Sequence, residues 1–124
     1  MEHTQLIDRR KARQRKKIEW SLYLIAACDH ALKEPLVKVG VSKTVKTRLL
    51  ALQEQCPIGL YVYREWTPEQ LKGNSATMIE RHVVHDYMKN NTKHGGREWF
   101  MLPAWVLEDY IVDLIDSTTS SFRI

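Results

Sequence analysis

The chain has 124 residues, 44% of them apolar, and 19 Lys and Arg against 15 Asp and Glu, a formal charge of +4. That length supports one domain with a modest core, and no apolar run approaches the ~20 residues of a membrane span. The charged N-terminal stretch reads against a secretory signal. Cys28 and Cys56, with no Cys-x-x-Cys spacing, read as reduced, buried thiols of a cytoplasmic protein.

The charge is uneven. Arg9, Arg10, Lys11, Arg13, Arg15, Lys16 and Lys17 form a basic arm, whereas the body from Ile18 onward carries 12 basic and 13 acidic residues. A dense basic arm releases counterions from a polyanion, so nucleic acid is the expected partner. Lys33, Lys38, Lys43, Lys46 and Arg48 form a second basic cluster, opposed in that stretch only by Glu34.

In chain order, residues 5–19 favour helix but lack a continuous apolar stripe. Leu22 to Ala27 reads as a buried strand, Asp29 to Pro35 as a loop, and Leu36 to Val41 as a second strand, the hairpin partner of the first. Ser42 is the expected N-cap of a helix running to about Gln55. Val45, Leu49 and Leu52 would face inward, with Leu50 beside them and Lys43, Lys46 and Lys38 on the polar side. After the punctuation of Pro57-Ile58-Gly59, Leu60 to Trp66 reads as a third strand. Thr67-Pro68-Glu69-Gln70 has the form of a capping box.

Ser75 caps a helix to about Lys89 whose inward stripe is Ala76, Ile79, Val83 and Tyr87, joined by Val84. Asn90 to Gly96 is a polar loop and Arg97 to Leu102 a short aromatic strand. Pro103 opens a final amphipathic helix, with Leu107, Tyr110, Ile111, Leu114 and Ile115 inward and Glu108, Asp109, Asp113 and Asp116 outward. The pattern predicts an α+β fold, a small antiparallel sheet flanked by helices. Its organisation is a basic arm over 1–19, a body over 20–102 and a helix over 103–124 that packs on the body.

The segments Tyr23-Leu24-Ile25, Val37-Lys38-Val39-Gly40-Val41-Ser42, Arg48-Leu49, Ala76-Thr77-Met78-Ile79-Glu80 and Glu98-Trp99-Phe100 follow one another in an ordered set. Over about residues 21–102 this order resembles the GIY-YIG nuclease superfamily. It is most similar to the divergent phage and bacterial branch with a Lys-Ile-Gly-like second motif and a Glu-Trp-Phe end. Ser21-Leu22-Tyr23 stands where the family has Gly-Ile-Tyr, and Lys38-Val39-Gly40 where it has Tyr-Ile-Gly. Arg48 matches the helix arginine and Glu80 the metal-binding glutamate. Lys38 replaces a tyrosine, Leu52 occupies a position where active members often place His or Tyr, and Val84 one where the branch often has His.

The resemblance implies a hydrolytic DNA endonuclease using one divalent cation, Mg²⁺ or Mn²⁺, held by Glu80. One carboxylate suffices, since Mg²⁺ keeps several waters and takes substrate phosphate as a ligand. Arg48 would offset charge developing on the phosphate, and Tyr23 would position the attacking water or the phosphate. Lys38 is either a phosphate contact or a base. The arm, with Lys43 and Lys46, would bind the DNA backbone, which does not by itself separate DNA from RNA.

Blander readings stand beside these. Glu80 could be a solvated helix carboxylate, Tyr23 a core aromatic, and Trp99 and Phe100 core residues. His82 and His85, three apart on a helix without a third ligand, read as surface or second-shell histidines. Three function classes follow: a nuclease, a non-cleaving DNA binder or regulator on the same fold, and an interaction protein whose acidic last helix meets a partner or the basic arm of a second copy in a homodimer.

Overall fold

The computed structural model describes residues 20–27, 35–91 and 99–121, with side chains through 117. The arm over 1–19, with Arg9, Arg10, Lys11, Arg13, Arg15, Lys16 and Lys17, lies outside the described residues, as do Cys28, Lys33, His94, Arg97 and Glu98. The elements run β1 (Ser21–Ala27), β2 (Val37–Ser42), α1 (Val45–Glu54), β3 (Leu60–Trp66), α2 (Ala76–Asp86), a 3₁₀ turn (Met88–Asn90), β4 (Trp99–Phe100) and α3 (Ala104–Ser121). This is the expected α+β class: among the described residues, one four-stranded sheet, order β3-β1-β2-β4, with every pair antiparallel and three helices around it.

Side chains alternate across a strand, so the central strand β1 feeds two cores. Leu22 and Leu24 point to one face, where Val37, Val39, Trp66 and Phe100 join them under α2 and α3. Both helices present apolar stripes at helical spacing: Ala76, Ile79 and Val83 on α2, and Leu107, Ile111 and Ile115 on α3. Tyr23 and Ile25 point to the other face, which α1 covers with Val45, Leu49 and Leu52. Fully burying one such aliphatic side chain contributes about 1.5–3 kcal/mol, and the first, larger cluster dominates. Leu50 is 63% exposed, so the inward face of α1 is narrower than its apolar content predicts.

Local chemistry sets the element ends. Ser42 does not cap α1. It completes β2 opposite Ser21, and its Oγ accepts from the Thr44 amide at 3.1 Å, leaving Thr44 as the N-cap residue without a side-chain cap bond. The Gln53 side chain secures the exit from α1. Its amide group donates to the carbonyls of Cys56 and Ile58, and its Oε1 accepts from Leu60 N at 2.7 Å. Cys56 in this turn is half-buried rather than enclosed.

The Thr67/Gln70 box forms as expected, each side chain bonding the other's amide. It closes a turn rather than a helix, and Lys72 and Gly73 follow it with positive φ. Ser75 caps α2 by accepting from Met78 N. The helix ends at Asp86 and tightens into the 3₁₀ turn, short of the expected Lys89.

A bulge in β3 corrects the expectation for Glu108. The register of β1 on β3 shifts between Leu24 and Ile25, from Leu24↔Arg64 to Ile25↔Val62, so Tyr63 is the extra residue. A bulge can turn consecutive side chains to one side. Tyr63 Oη and Arg64 both reach the Glu108 carboxylate, at 3.3 and 3.0 Å. Glu108, expected outward, thus ties β3 to α3, while the Arg64 guanidinium also lies 4.6 Å from the centroid of the Trp66 ring.

Candidate functional site

Tyr23 begins the site because its neighbours are fixed by register. On β1 it pairs with Gly40 of β2 on one side and Glu65 of β3 on the other. Its ring lies across β2: a methyl added at Gly40 would overlap the Tyr23 hydroxyl and Cζ. Glycine is required there by close approach rather than by backbone angle, since Gly73 is the positive-φ glycine among the described residues. Tyr23 is 1% exposed and packs with Ile25 and Val45.

Lys38 lies two residues before Gly40, on the same sheet face and opposite Ile25. It is 4% exposed, which corrects its assignment to the solvent-facing basic cluster. On its other side it pairs with Trp99 of β4, and its Nζ lies 5.7 Å from the Trp99 ring centroid. A buried ammonium needs compensation, and an aromatic face supplies part of it. Lys38, Tyr23 and Glu80 each have a further interaction within the fold.

Helix α1 covers the same face. Its inward residues Val45, Leu49 and Leu52 leave Lys43, Lys46 and Arg48 exposed along the outside of the element and its lead-in. Val45, Leu49, Lys43, Lys46, Thr44 and Thr47 line one side of a groove whose far wall is Val62 and Glu65 of β3. Glu80 comes from α2, which packs on the opposite sheet face through Ile79 and Val83. As the neighbour of buried Ile79, Glu80 is half-buried at the margin of that packing.

His85 is exposed near the C-terminal end of α2, and its Nδ1 lies 3.1 Å from Asp86 Oδ1. Five residues separate it from Glu80, which is about 140° around a helix, so the two project in different directions. The Tyr110 hydroxyl of α3 donates to Asp86 Oδ2. That bond, then His85, holds the Asp86 carboxyl below its ordinary range. Burial, then the same bond, pushes the Tyr110 phenol up. Tyr87 stacks edge-on against Tyr110 with centroids 5.2 Å apart, so this polar chain fastens α2 to α3.

Among the described residues no three His, Cys, Asp or Glu side chains group to hold a metal. A closed tetrahedral site of the structural zinc kind is therefore not formed by them. A single half-buried carboxylate such as Glu80 fits a hard oxygen-seeking cation whose remaining ligands are water and phosphate. No helix among them is long and apolar enough to cross a membrane.

Three features are not evident from the sequence: the Tyr23–Gly40 overlap, the Lys38–Trp99 pair and the Glu108 clasp. The first had a signal, since Tyr23 and Gly40 face each other in any hairpin of suitable register. The other two depend on a strand distant in the chain and on a bulge.

Residues 21–116 match the profile of the T5orf172 domain, and the chain belongs to that family. The family is phage-associated and falls in a nuclease-related group. Searches of curated proteins and of solved structures returned no match.

Proposed function

From that family membership, we propose that the protein is a divalent-cation-dependent endonuclease of GIY-YIG type that hydrolyses a phosphodiester bond of DNA. The observation that carries the reading is Tyr23 lying across Gly40, with Lys38 beside it on the sheet face covered by the helix that bears Arg48. A nuclease of this kind needs a fixed hydroxyl and fixed positive charge around one phosphate, and a packed sheet face supplies the rigidity.

In this reading the Tyr23 hydroxyl, held against β2, would orient the attacking water or the phosphate, a role with which its burial as a core aromatic competes. Lys38, with its amine over the Trp99 ring, supplies positive charge to the phosphate. Arg48 is exposed on α1 and offsets the charge that develops during hydrolysis. Glu80, half-buried at the margin of α2, would hold Mg²⁺ or Mn²⁺, and the cation would supply polarisation of a phosphate oxygen and positive charge for the leaving oxyanion. Lys43, Lys46 and the basic arm hold the DNA backbone.

The test is a supercoiled plasmid with Mg²⁺ or Mn²⁺, comparing wild type with Glu80→Ala. The expected outcome is loss of metal-dependent cutting with the fold and DNA affinity kept. A well-folded Glu80→Ala protein that cuts as wild type would falsify the assignment of Glu80. The second reading, a DNA binder that does not cleave, is favoured by Leu52, which packs against the small core instead of presenting a polar group. DNA binding without cleavage in either metal would select it.

A further inference from the structure

The groove between the start of α1 and β3 has a mixed lining that a phosphate track does not require. Its floor is apolar, made by Val45, Leu49 and Val62. Its rim carries the amines of Lys43 and Lys46, the hydroxyls of Thr44 and Thr47, and the carboxylate of Glu65. It is an open groove of about 500 Å³ rather than an enclosed cavity. Glu65 is exposed and tied to no cation among the described residues. It also pairs across the sheet with Tyr23, so the groove opens beside the proposed cleavage face.

We propose that this groove takes one unpaired nucleotide of the DNA strand, with its base on the apolar floor, its edge against Glu65, and its flanking phosphates on Lys43 and Lys46. The proposal rests on the nuclease reading for the identity of the strand. Each part of the lining has a matching part of the ligand. The aliphatic floor of Val45, Leu49 and Val62 packs against the face of any base by apolar contact rather than ring stacking. A carboxylate accepts from the exocyclic amino group of cytosine, adenine or guanine, whereas an unpaired thymine offers only N3–H between two carbonyl oxygens that repel the carboxylate. Two lysines three residues apart neutralise neighbouring phosphates. A groove for backbone alone gains nothing from an acid, which repels phosphate. The acid and the apolar floor therefore select a base, and a base inside a duplex is stacked and cannot enter.

The full chain is mixed, in metal-free buffer, with short single-stranded oligonucleotides carrying one 2-aminopurine, and with the matching duplex. Binding of the single strand should raise 2-aminopurine fluorescence, because the base leaves its neighbours. Thr47→Trp, at an exposed position that can fill the groove, should abolish that rise. Lys43→Ala with Lys46→Ala should weaken single-strand binding about tenfold at low salt and lower the salt slope by roughly 1.4, at ~0.7 for each contact. Glu65→Gln should reduce the preference for oligocytidine over oligothymidine, since an amide can also donate to thymine.

A Thr47→Trp protein with the wild-type fluorescence change overturns the proposal. So does a cytosine preference unaltered by Glu65→Gln. Absence of cleavage with these binding results intact rejects the nuclease reading alone. Normal cleavage with unaltered Thr47→Trp binding rejects the groove alone.

Discussion

Substituting Gly40→Ala tests the contact on which the site is built. Backbone conformation does not oppose the change, because Gly40 is not a positive-φ glycine. Replacing a strand glycine should by itself stabilise the fold by about 0.5–1 kcal/mol. The added methyl, however, overlaps the hydroxyl and Cζ of Tyr23. That ring is 1% exposed and packed with Ile25 and Val45, so it has little room to retreat. Overpacking of this kind costs about 1–3 kcal/mol. The net expectation is a destabilisation of about 0–2.5 kcal/mol, the overpacking cost less the backbone gain.

In a Tyr23→Leu background the overlapping atoms are absent, and the same change should be neutral or stabilising. The coupling between the two positions should then be about 1–3 kcal/mol, which a double-mutant cycle resolves. Urea denaturation of wild type, both single variants and the double variant gives the four free energies, provided the slopes agree. A Gly40→Ala effect of the same size in both backgrounds would refute the packing of Tyr23 against β2, and with it the fixed hydroxyl that the mechanism uses.

Two further outcomes follow from other parts of the chain. The Tyr110 hydroxyl, then His85, depress the Asp86 carboxyl below its ordinary 3.8. Its contribution to stability is therefore present above that pH and is lost as the pH falls through the folded-state value. The stability difference between wild type and Tyr110→Phe should thus be present at neutral pH and shrink on acidification below pH 3.8, read by thermal denaturation across that range. A difference that does not change refutes the coupling. Deleting residues 1–17 removes seven basic residues. If about four of them meet phosphates, the slope of log K against log salt on duplex DNA should fall by roughly 3 to 4. An unchanged slope in a filter-binding or anisotropy titration would remove the arm from the nucleic-acid interface.

The sheet and the three described helices are legible because their signals are local. The continuous apolar run after Ser21 marks a strand buried on both faces, the alternation in Val37–Ser42 marks a second strand, and the Ala76, Ile79, Val83 stripe marks one side of α2. Errors arose where a distant partner decides. Ser42 has the chemistry of a cap, but the ladder opposite Ser21 keeps it in β2. Glu108 falls on the polar side by helical periodicity, yet the bulge at Tyr63 supplies two donors that turn it into a clasp. No alternation pattern announces a bulge, since the extra residue reads only as a slip in phase.

The candidate site divides in the same way. Tyr23, Lys38, Arg48 and Glu80 could be selected as residue types in order, but order says nothing of which sheet face each occupies. Proximity along the chain groups Lys38 with Lys43 and Lys46 and implies that all three face solvent. The pleat instead sets Lys38 and Gly40 on the Tyr23 face, and β4 lays Trp99 against the Lys38 amine. Across β2, β1 and β3, one row reads Gly40, Tyr23, Glu65. It joins the absence of a side chain, a phenol and a carboxylate drawn from three separate segments. Whatever chemistry the protein performs on this face depends on that row, because moving any one strand by a single residue would turn its member to the opposite core.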